Sequence, residues 1–180
     1  IKYGDLEVEN FKYKYPVNWY CACLNSANTI EKVSIIHKEL KYFNIELLPP
    51  SLIKSQNKFI AENGNIRFSL KNIKGIGDKI ADRVKLFQKP HPSKFELFEC
   101  ANQSGLGIGV LAAIIGAGAL DLSENRTRLI LESQLWWLLT DKEKRWSLNL
   151  GAQYNYNLIE IIQKLKNMVD EKNKPIIKLS

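Results

Sequence analysis

Apolar side chains recur at intervals of three and four residues along most of the chain, and this spacing predicts a mainly α-helical fold. Pro16 favours a helix start, because proline suits the first turn, where no backbone N–H is needed. The predicted helices cover residues 16–26, 29–43, 94–102, 124–139 and 156–171, with Asn28 as the cap of the second and Ser123 as the cap of the fourth.

One segment departs from the helical pattern and predicts a β-hairpin. Asn63-Gly64 is a strong tight-turn signal between two short runs rich in β-forming residues. We therefore expect strands near 57–61 and 66–69. Upstream, Asn44 is suited to close a helix in the left-handed conformation, and Pro49-Pro50 predicts an extended crossing.

The resulting fold class is mainly α with one small β-hairpin and two consecutive helix-hairpin-helix units. We divide the chain into three parts. A helical part covers residues 1–56, the β-hairpin and the tandem helix-hairpin-helix units cover 57–122, and C-terminal helices cover 123–180.

Composition narrows the class of protein. The chain has 180 residues, of which 45% are hydrophobic and 25% are charged, as in globular domains. No apolar run approaches the ~18 residues that a membrane span needs. The polar N-terminal residues show no secretory signal, and a first residue other than Met leads us to expect a fragment or a processed piece. Three cysteines without a CxxC pair predict neither a disulfide framework nor zinc, so we expect a reducing, cytoplasmic setting without membrane partners.

The positive charge is concentrated in one window of the chain. Residues 51–100 carry eight Lys and two Arg against five acids, which accounts for +5 of the total net charge of +7. Localised basic charge is typical of proteins that bind a polyanion. The abundance of Lys throughout the chain is an equally good explanation of this excess, so charge alone leaves the question open.

The most informative motif runs from residue 70 to residue 84 and fits the helix-hairpin-helix pattern. Leu70 and Ile73 are expected on one face of a short first helix. Gly75-Ile76-Gly77 would form a tight corner, in which both glycines adopt φ values that a side chain disfavours and Ile76 points inward. Ala81, six residues after the first glycine, is small enough for the two helices to pack closely.

This corner predicts a phosphate-binding site. The first N–H groups of the second helix lack intrahelical partners, and together with the positive end of the helix dipole they attract anions. Phosphate contacts hold the nucleic-acid backbone and do not read bases. Asp78 caps the helix but repels a nearby phosphate, and an ordinary turn between two helices is the alternative. The candidate residues are Lys71, Lys74, Gly75, Ile76, Gly77, Asp78, Lys79 and Arg83.

A second, weaker copy of the pattern follows. Gly107-Ile108-Gly109 repeats the letters of the corner, and Ala113 again lies six residues after the first glycine. The position nine residues later is Gly116 instead of an apolar side chain, and no basic residue lies nearby. A second DNA contact and a buried scaffold helix are therefore equally good interpretations.

Several further motifs follow one another in a fixed order: Tyr15-Pro16-Val17, Asn28-Thr29-Ile30-Glu31-Lys32-Val33, residues 44–50, 66–70, 73–77 and 116–121, and Asn125-Arg126. In this order the chain resembles the α subunit of bacterial replicative DNA polymerase III. The resemblance covers roughly residues 11–130, the back of the fingers region and the tandem helix-hairpin-helix domain of that family.

The resemblance implies a DNA-holding part of a nucleotidyltransferase. In the family, carboxylates of a palm domain hold two Mg²⁺ ions for the transfer step. The palm lies N-terminal to the matching region, so we expect neither a catalytic residue nor a metal or cofactor in this chain. The implied partners are duplex DNA, the remaining domains or subunits of a replicative polymerase, and a sliding clamp. The peptide 134–138 is faintly similar to a clamp-binding motif, but core packing is the better interpretation of it.

We thus expect a sequence-independent duplex DNA-binding segment that supports DNA-templated DNA synthesis. A helix-hairpin-helix repair enzyme is an alternative, with Asp121 as the nearby candidate for the catalytic residue of a base-flipping pocket. A protein-interaction scaffold without DNA affinity is the second alternative.

Overall fold

The computed structural model describes residues 10–120, 124–154, 158–160, 162 and 163. Within these ranges residues 10–14 are helical, and the helices that follow are α1 (Pro16–Ser26), α2 (Ile30–Leu40), α3 (Asp78–Val84), α4 (Lys94–Gln103), α5 (Ile108–Gly116), α6 (Arg126–Leu138) and α7 (Asp141–Tyr154). The strands are β1 (Leu47–Leu48), β2 (Ile60–Glu62) and β3 (Asn65–Arg67), and short 3-10 turns follow α2 at Lys41–Phe43 and α3 at Lys85–Phe87. Of the helix predicted over 156–171, residues 158–160, 162 and 163 are helical and the remainder lies outside the described residues.

The two N-terminal helices form where the apolar spacing predicts them, and one cap differs. Pro16 opens α1. The N-cap of α2 is Thr29, whose hydroxyl accepts a hydrogen bond from the Lys32 amide, so the prediction of Asn28 was wrong by one residue. The Asn28 side chain instead accepts from the Lys32 ammonium group. Asn44 adopts the predicted left-handed conformation, with φ 53°.

A three-stranded sheet with the order β1-β3-β2 follows. Strands β2 and β3 form the predicted antiparallel hairpin, and Asn63 and Gly64 both take positive φ at its turn. Strand β1 pairs parallel with β3, with Leu47 opposite Ile66, and the sequence patterns had not indicated this strand. A parallel partner nineteen residues away leaves no local turn signal, which is why only the hairpin was predicted.

The Asn25 side chain of α1 forms two hydrogen bonds with the backbone next to the β-hairpin, as a neighbouring strand would. The Asn25 side chain donates to the Phe59 carbonyl at 2.9 Å and accepts from the Phe59 amide at 2.8 Å. Both backbone groups of a buried residue are thereby satisfied. The core of this N-terminal part contains Tyr20, Leu24, Leu40, Ile45, Phe59 and Ile66. Phe59 and Ile66, which lie beyond residue 57, are part of this core. The domain division at residue 57 stays a prediction.

A larger core lies among α3, α4, α5 and α6. Trp136 of α6 is fully buried, stacks on Phe95 with ring centroids 5.5 Å apart, and donates its indole N–H to Glu99 at 2.9 Å. The N-cap of α6 is Asn125, which accepts from the Arg128 amide, so the prediction of Ser123 as the cap was wrong. The fold class is confirmed: the described chain is mainly helical, with a small sheet and a tandem helix-hairpin-helix.

Phe68 joins the two cores. Its ring packs against both clusters and meets Phe59 edge to face, with centroids 5.1 Å apart. Its amide donates to the Leu48 carbonyl at 3.0 Å, and its carbonyl accepts from the Ser55 hydroxyl at 2.8 Å. The N-terminal helices are therefore fixed to the segment that carries the first hairpin.

Candidate nucleic-acid interface

The first hairpin has the predicted glycine corner, but the segment that leads into the corner is not the predicted helix. Residues 70–76 form consecutive turns instead of the predicted short helix, with the Ile73 amide bonded to the Leu70 carbonyl and the Ile76 amide to the Ile73 carbonyl. Leu70 and Ile73 are buried all the same. Gly75 takes φ +91°, a conformation that a side chain disfavours. Gly77 does not, since its φ is −92°, and that part of the prediction was wrong.

Inward packing fixes the corner. Ile76 is 3% exposed, which confirms its predicted inward orientation. Ala81 and Val84 on α3 are completely buried, so the start of this helix is held against the core. The corner is thus supported from beneath by apolar contacts and presents its backbone outward.

Three amides at the start of α3 face solvent. Within the described residues, the N–H groups of Gly77, Asp78 and Lys79 donate to no backbone or side-chain acceptor, and no side chain caps the helix. All three residues are exposed. A Cβ added at Gly77 would have no atom within 4 Å, so the space above the corner is open. This geometry can accept an anion that approaches closely.

Four cations surround the corner without internal partners. Lys74, Lys79 and Arg83 are exposed and Lys71 is half-buried. Among the residues that the structure describes, none of the four has a carboxylate within 4.0 Å. The nearby acid Asp82 accepts from the Asn57 side chain at 2.7 Å and lies 3.8 Å from Lys85. The positive charge at the corner is therefore available to an external ligand.

Other basic residues have structural roles. Arg67 forms a two-bond pair with Glu62, both at 2.6 Å, and donates to the Pro49 carbonyl. This pair holds the pKa of the Glu62 carboxyl below its ordinary value. Lys94 lies 2.7 Å from both Glu124 and Glu132. The local excess of charge in residues 51–100 thus overstates the charge available for binding, because part of it stabilises the fold.

The second hairpin has the same backbone in a shifted register. Its positive-φ glycine is Gly105, with φ +69°, and Gly107 is the N-cap of α5, as Gly77 is of α3. The corner is therefore Gly105-Leu106-Gly107, two residues earlier than the sequence pattern indicated. Leu106 between the glycines is 3% exposed, the same as Ile76. Gly107-Ile108-Gly109 is not the corner, but it supplies the three N–H groups equivalent to those of residues 77–79, and within the described chain these are also without acceptors.

An offset of thirty residues relates the two hairpins and reveals a difference in charge. The positions equivalent to the four cations of the first hairpin carry no charge; they are Ala101, Ser104, Gly109 and Ala113. Leu111 and Ile114, equivalent to Ala81 and Val84, are fully buried. The two corners share a scaffold, and only the first has a basic rim.

The two hairpins contact each other directly. A Cβ added at Gly75 would lie 3.8 Å from the Ala113 Cβ on α5, so the first corner rests on the helix of the second hairpin. Beside this contact lies a groove of about 430 Å³, lined by Ile73 and Lys74 from the first hairpin and by Ala113 and Gly116 from α5. Small side chains thus allow the tandem arrangement.

The described residues contain no group of three or more His, Cys, Asp or Glu side chains able to hold a metal ion. Burial raises the pKa of the Cys21 thiol, which donates to the Phe59 carbonyl at 3.0 Å. Asp121, the candidate for a repair activity, lies outside the described residues. Over the same ranges, no helix is long and apolar enough to cross a lipid bilayer.

Comparison with known proteins agrees with the geometry. The helix-hairpin-helix motif family matches residues 44–129, which include both corners. DNA polymerase III subunit alpha of Bacillus subtilis is 33% identical over 123 residues, which cover 66% of this chain and 11% of that protein. The subunit of Halalkalibacterium halodurans is 28% identical over 152 residues, or 83% of this chain and 14% of its own length. An error-prone DNA polymerase of Corynebacterium diphtheriae is 27% identical over 112 residues, or 62% of this chain and 10% of that protein.

The fold and the two corners define the class: residues 44–129 form a tandem helix-hairpin-helix domain. Within that class, the chain is a relative of the helix-hairpin-helix segment of DNA polymerase III subunit alpha. It spans 10% to 14% of the length of the polymerases named here.

Proposed function

We propose that this chain binds duplex DNA through its backbone phosphates, independently of sequence, as a segment of a replicative DNA polymerase III α-like protein. The observation that carries the proposal is the combination of solvent-facing amides at residues 77–79 with four cations that have no carboxylate partner in the described chain. The match to the helix-hairpin-helix family and the similarity to polymerases support it.

The first hairpin performs the binding in this proposal. A phosphate oxygen accepts hydrogen bonds from the amides that open α3, and Gly77 leaves room for this approach. Lys74 and Lys79 neutralise the adjacent phosphates, while Lys71 and Arg83 extend the basic rim. The Asp78 carboxylate, at the first position of α3, adds a repulsive charge that the surrounding cations outweigh. None of these groups reads a base edge, so affinity does not depend on sequence.

The larger reaction would use other parts of the protein. By the polymerase relationship, the Mg²⁺ ions of nucleotidyl transfer belong to a palm domain, and this segment would hold the product duplex for DNA-templated synthesis in the cytoplasm. A sliding clamp is a further candidate partner of such a protein. The peptide 134–138 is poorly suited to bind it, because Trp136 is fully buried and bonded to Glu99.

The proposal is tested by measuring the affinity for two unrelated duplexes of about 20 base pairs between about 50 and 200 mM salt. Replacing both cations, Lys74→Ala with Lys79→Ala, should weaken binding equally on the two sequences. Each lost phosphate contact should also reduce the slope of log affinity against log salt by about one unit. Anisotropy of a labelled duplex reports both quantities.

The matched control removes two charges elsewhere. Lys142 and Arg145 on α7 are exposed, and changing both to Ala alters the net charge by the same amount. This variant should keep the wild-type slope. A loss confined to one duplex sequence, or an equal loss in the control, would contradict phosphate binding at the first hairpin. The absence of any DNA affinity at low salt would favour the scaffold alternative.

A further inference from the structure

Aromatic and basic side chains alternate over residues 11–15, of which 11–14 lie in a helical turn just before α1. The order is Phe11, Lys12, Tyr13, Lys14 and Tyr15, and the three rings are 46%, 70% and 45% exposed. Phe11 and Tyr15 contact each other with centroids 5.3 Å apart, and the Lys14 ammonium lies 5.4 Å from the Tyr15 ring centre. A folded chain that leaves so many rings in water presents them to a ligand.

The turn after α2 adds a fourth exposed ring. Tyr42 is 87% exposed and precedes Phe43, whose ring lies 5.9 Å from that of Tyr13. The contact brings the two segments of chain together. We call Phe11, Tyr13, Tyr15 and Tyr42, together with Lys14, Lys38 and Lys41, the aromatic–lysine surface. Phe11 and Tyr15 share one side of the helical turn at residues 10–14, and Tyr13 lies about 200° around it, toward Phe43.

The charge of this surface is positive. Lys12 is held by Glu39 at 3.5 Å. Lys14, Lys38 and Lys41 are exposed, and none has a carboxylate within 4.0 Å among the described residues. The surface therefore carries positive charge without a carboxylate partner, and Lys14 lies next to one of its rings.

The mixture of rings and lysines favours nucleic acid over a polypeptide. Lysine is depleted at the centre of protein interfaces, because burying its charge is costly. Proteins that hold single strands combine a basic surface with aromatic rings on which successive bases stack. A duplex offers no free base faces to such rings, except at its ends.

We propose that the aromatic–lysine surface binds single-stranded nucleic acid by stacking its bases. This inference rests on the proposed function and extends it from the duplex to an unpaired strand. The placement of the surface suits the binding of both a duplex and a single strand. The start of α2 and Asn72 of the first hairpin line one groove of about 530 Å³. Tyr42 follows the opposite end of α2. With a rise of ~1.5 Å per residue, Tyr42 lies about 18 Å along the helix axis from the start of α2.

The test compares an all-thymine oligonucleotide of about 20 residues, which cannot pair with itself, with a blunt duplex of similar length. Changing both Tyr13 and Tyr42 to Ala should weaken oligonucleotide binding at least about fivefold and leave duplex binding unchanged. Changing both to Phe keeps the rings and should retain the affinity. Both side chains are mostly exposed, so the thermal midpoint should stay at the wild-type value. Leu138→Ala, at a 69% exposed side chain of α6, is the matched control for loss of exposed apolar surface.

The results separate this inference from the proposed function. Oligonucleotide binding that is weakened by Ala and kept by Phe, with the duplex unaffected, supports the aromatic–lysine surface. Equal oligonucleotide affinity in the Ala variant, or no affinity in the wild type, overturns it and leaves the surface to a polypeptide partner. The proposed function is judged separately, by duplex binding and its response to the loss of Lys74 and Lys79.

Discussion

Two glycines at the first corner serve different purposes, although they stand only two positions apart. Gly75 has φ +91°, where a Cβ strains the backbone even though the nearest atom, the Ala113 Cβ, would be at an ordinary 3.8 Å. Gly77 has an extended backbone and open space in front of it. The first glycine is therefore needed by the fold, and the second only by a ligand that approaches closely.

This difference gives a matched pair of variants. We expect Gly75→Ala to lower the free energy of unfolding by about 1–2 kcal/mol, the cost of a left-handed conformation for a residue with a side chain. Gly77→Ala should change it by less than about 0.5 kcal/mol but weaken duplex binding, because its Cβ occupies the path of the phosphate. Urea denaturation and duplex titration measure the two effects. If Gly77→Ala binds DNA as tightly as the wild type, phosphates do not contact this corner.

The pair of Glu62 and Arg67 makes stability depend on pH. Since Arg67 holds the pKa of folded Glu62 below its ordinary value of 4.5, the unfolded chain takes up the proton first as the pH falls. The contribution of the pair is thus present above pH 4.5 and is lost as the pH falls through the folded pKa. Glu62→Gln should be less stable than the wild type at neutral pH, and the gap should narrow in acid. Urea denaturation from about pH 7 to pH 3 measures it; a constant gap would show that this carboxylate does not contribute to acid sensitivity.

At the level of elements, local signals in the sequence were reliable and distant pairings were not visible. The turn at Asn63-Gly64 and the closure at Asn44 were predicted because single residues determine them. Helix α7 was missed although its start has a capping box: the Thr140 amide donates to Glu143 at 2.7 Å, and the Glu143 amide to the Thr140 hydroxyl at 3.4 Å. This signal could have been found. The turns at 70–76 could not, because Leu70 and Ile73 have helical spacing and tertiary packing decides otherwise.

Helices α4 and α6 are joined by one lysine with two carboxylates. Lys94 lies 2.7 Å from both, but Glu132 is completely buried and the Glu124 side chain is 39% exposed. Glu132→Gln should destabilise the fold by about 3 kcal/mol, because a buried ammonium loses its buried partner. Glu124→Gln should cost less than about 1 kcal/mol, since solvent screens that pair. Similar losses in chemical denaturation of the two variants would show that burial does not decide the strength of these pairs.

At the scale of the whole molecule, the sequence indicated two hairpins and located only the first correctly. The letters Gly-x-Gly occur twice in overlap at 105–109, and the positive φ of Gly105 identifies the first of the two as the corner. With the corrected register, Ile114 occupies the apolar position that had appeared to be missing at Gly116. The second copy is therefore complete in its packing, and what it lacks is charge.

The thirty-residue relationship predicts a gain of function. Ser104→Lys places a cation at the second corner where Lys74 stands at the first. If both corners face one duplex, affinity should rise and the salt slope should steepen by about one unit. Gln134→Lys, at an exposed position of α6, adds the same charge elsewhere and should have a smaller effect. Equal effects of the two changes in a duplex titration would identify the second hairpin as a scaffold.

The junction at Phe68 connects the first corner directly to the N-terminal helices. The Phe68 ring packs against both cores, and its amide and carbonyl are both hydrogen-bonded. Leu70 follows two residues later, and the turns that lead to the Gly75 corner begin there. If a DNA strand is bound at that corner, tension on the strand would be transmitted through Phe68 to the N-terminal helices. Pulling on the bound DNA would then move the N-terminal helices and the first hairpin together. The distance between the aromatic–lysine surface and the corner would stay the same under load.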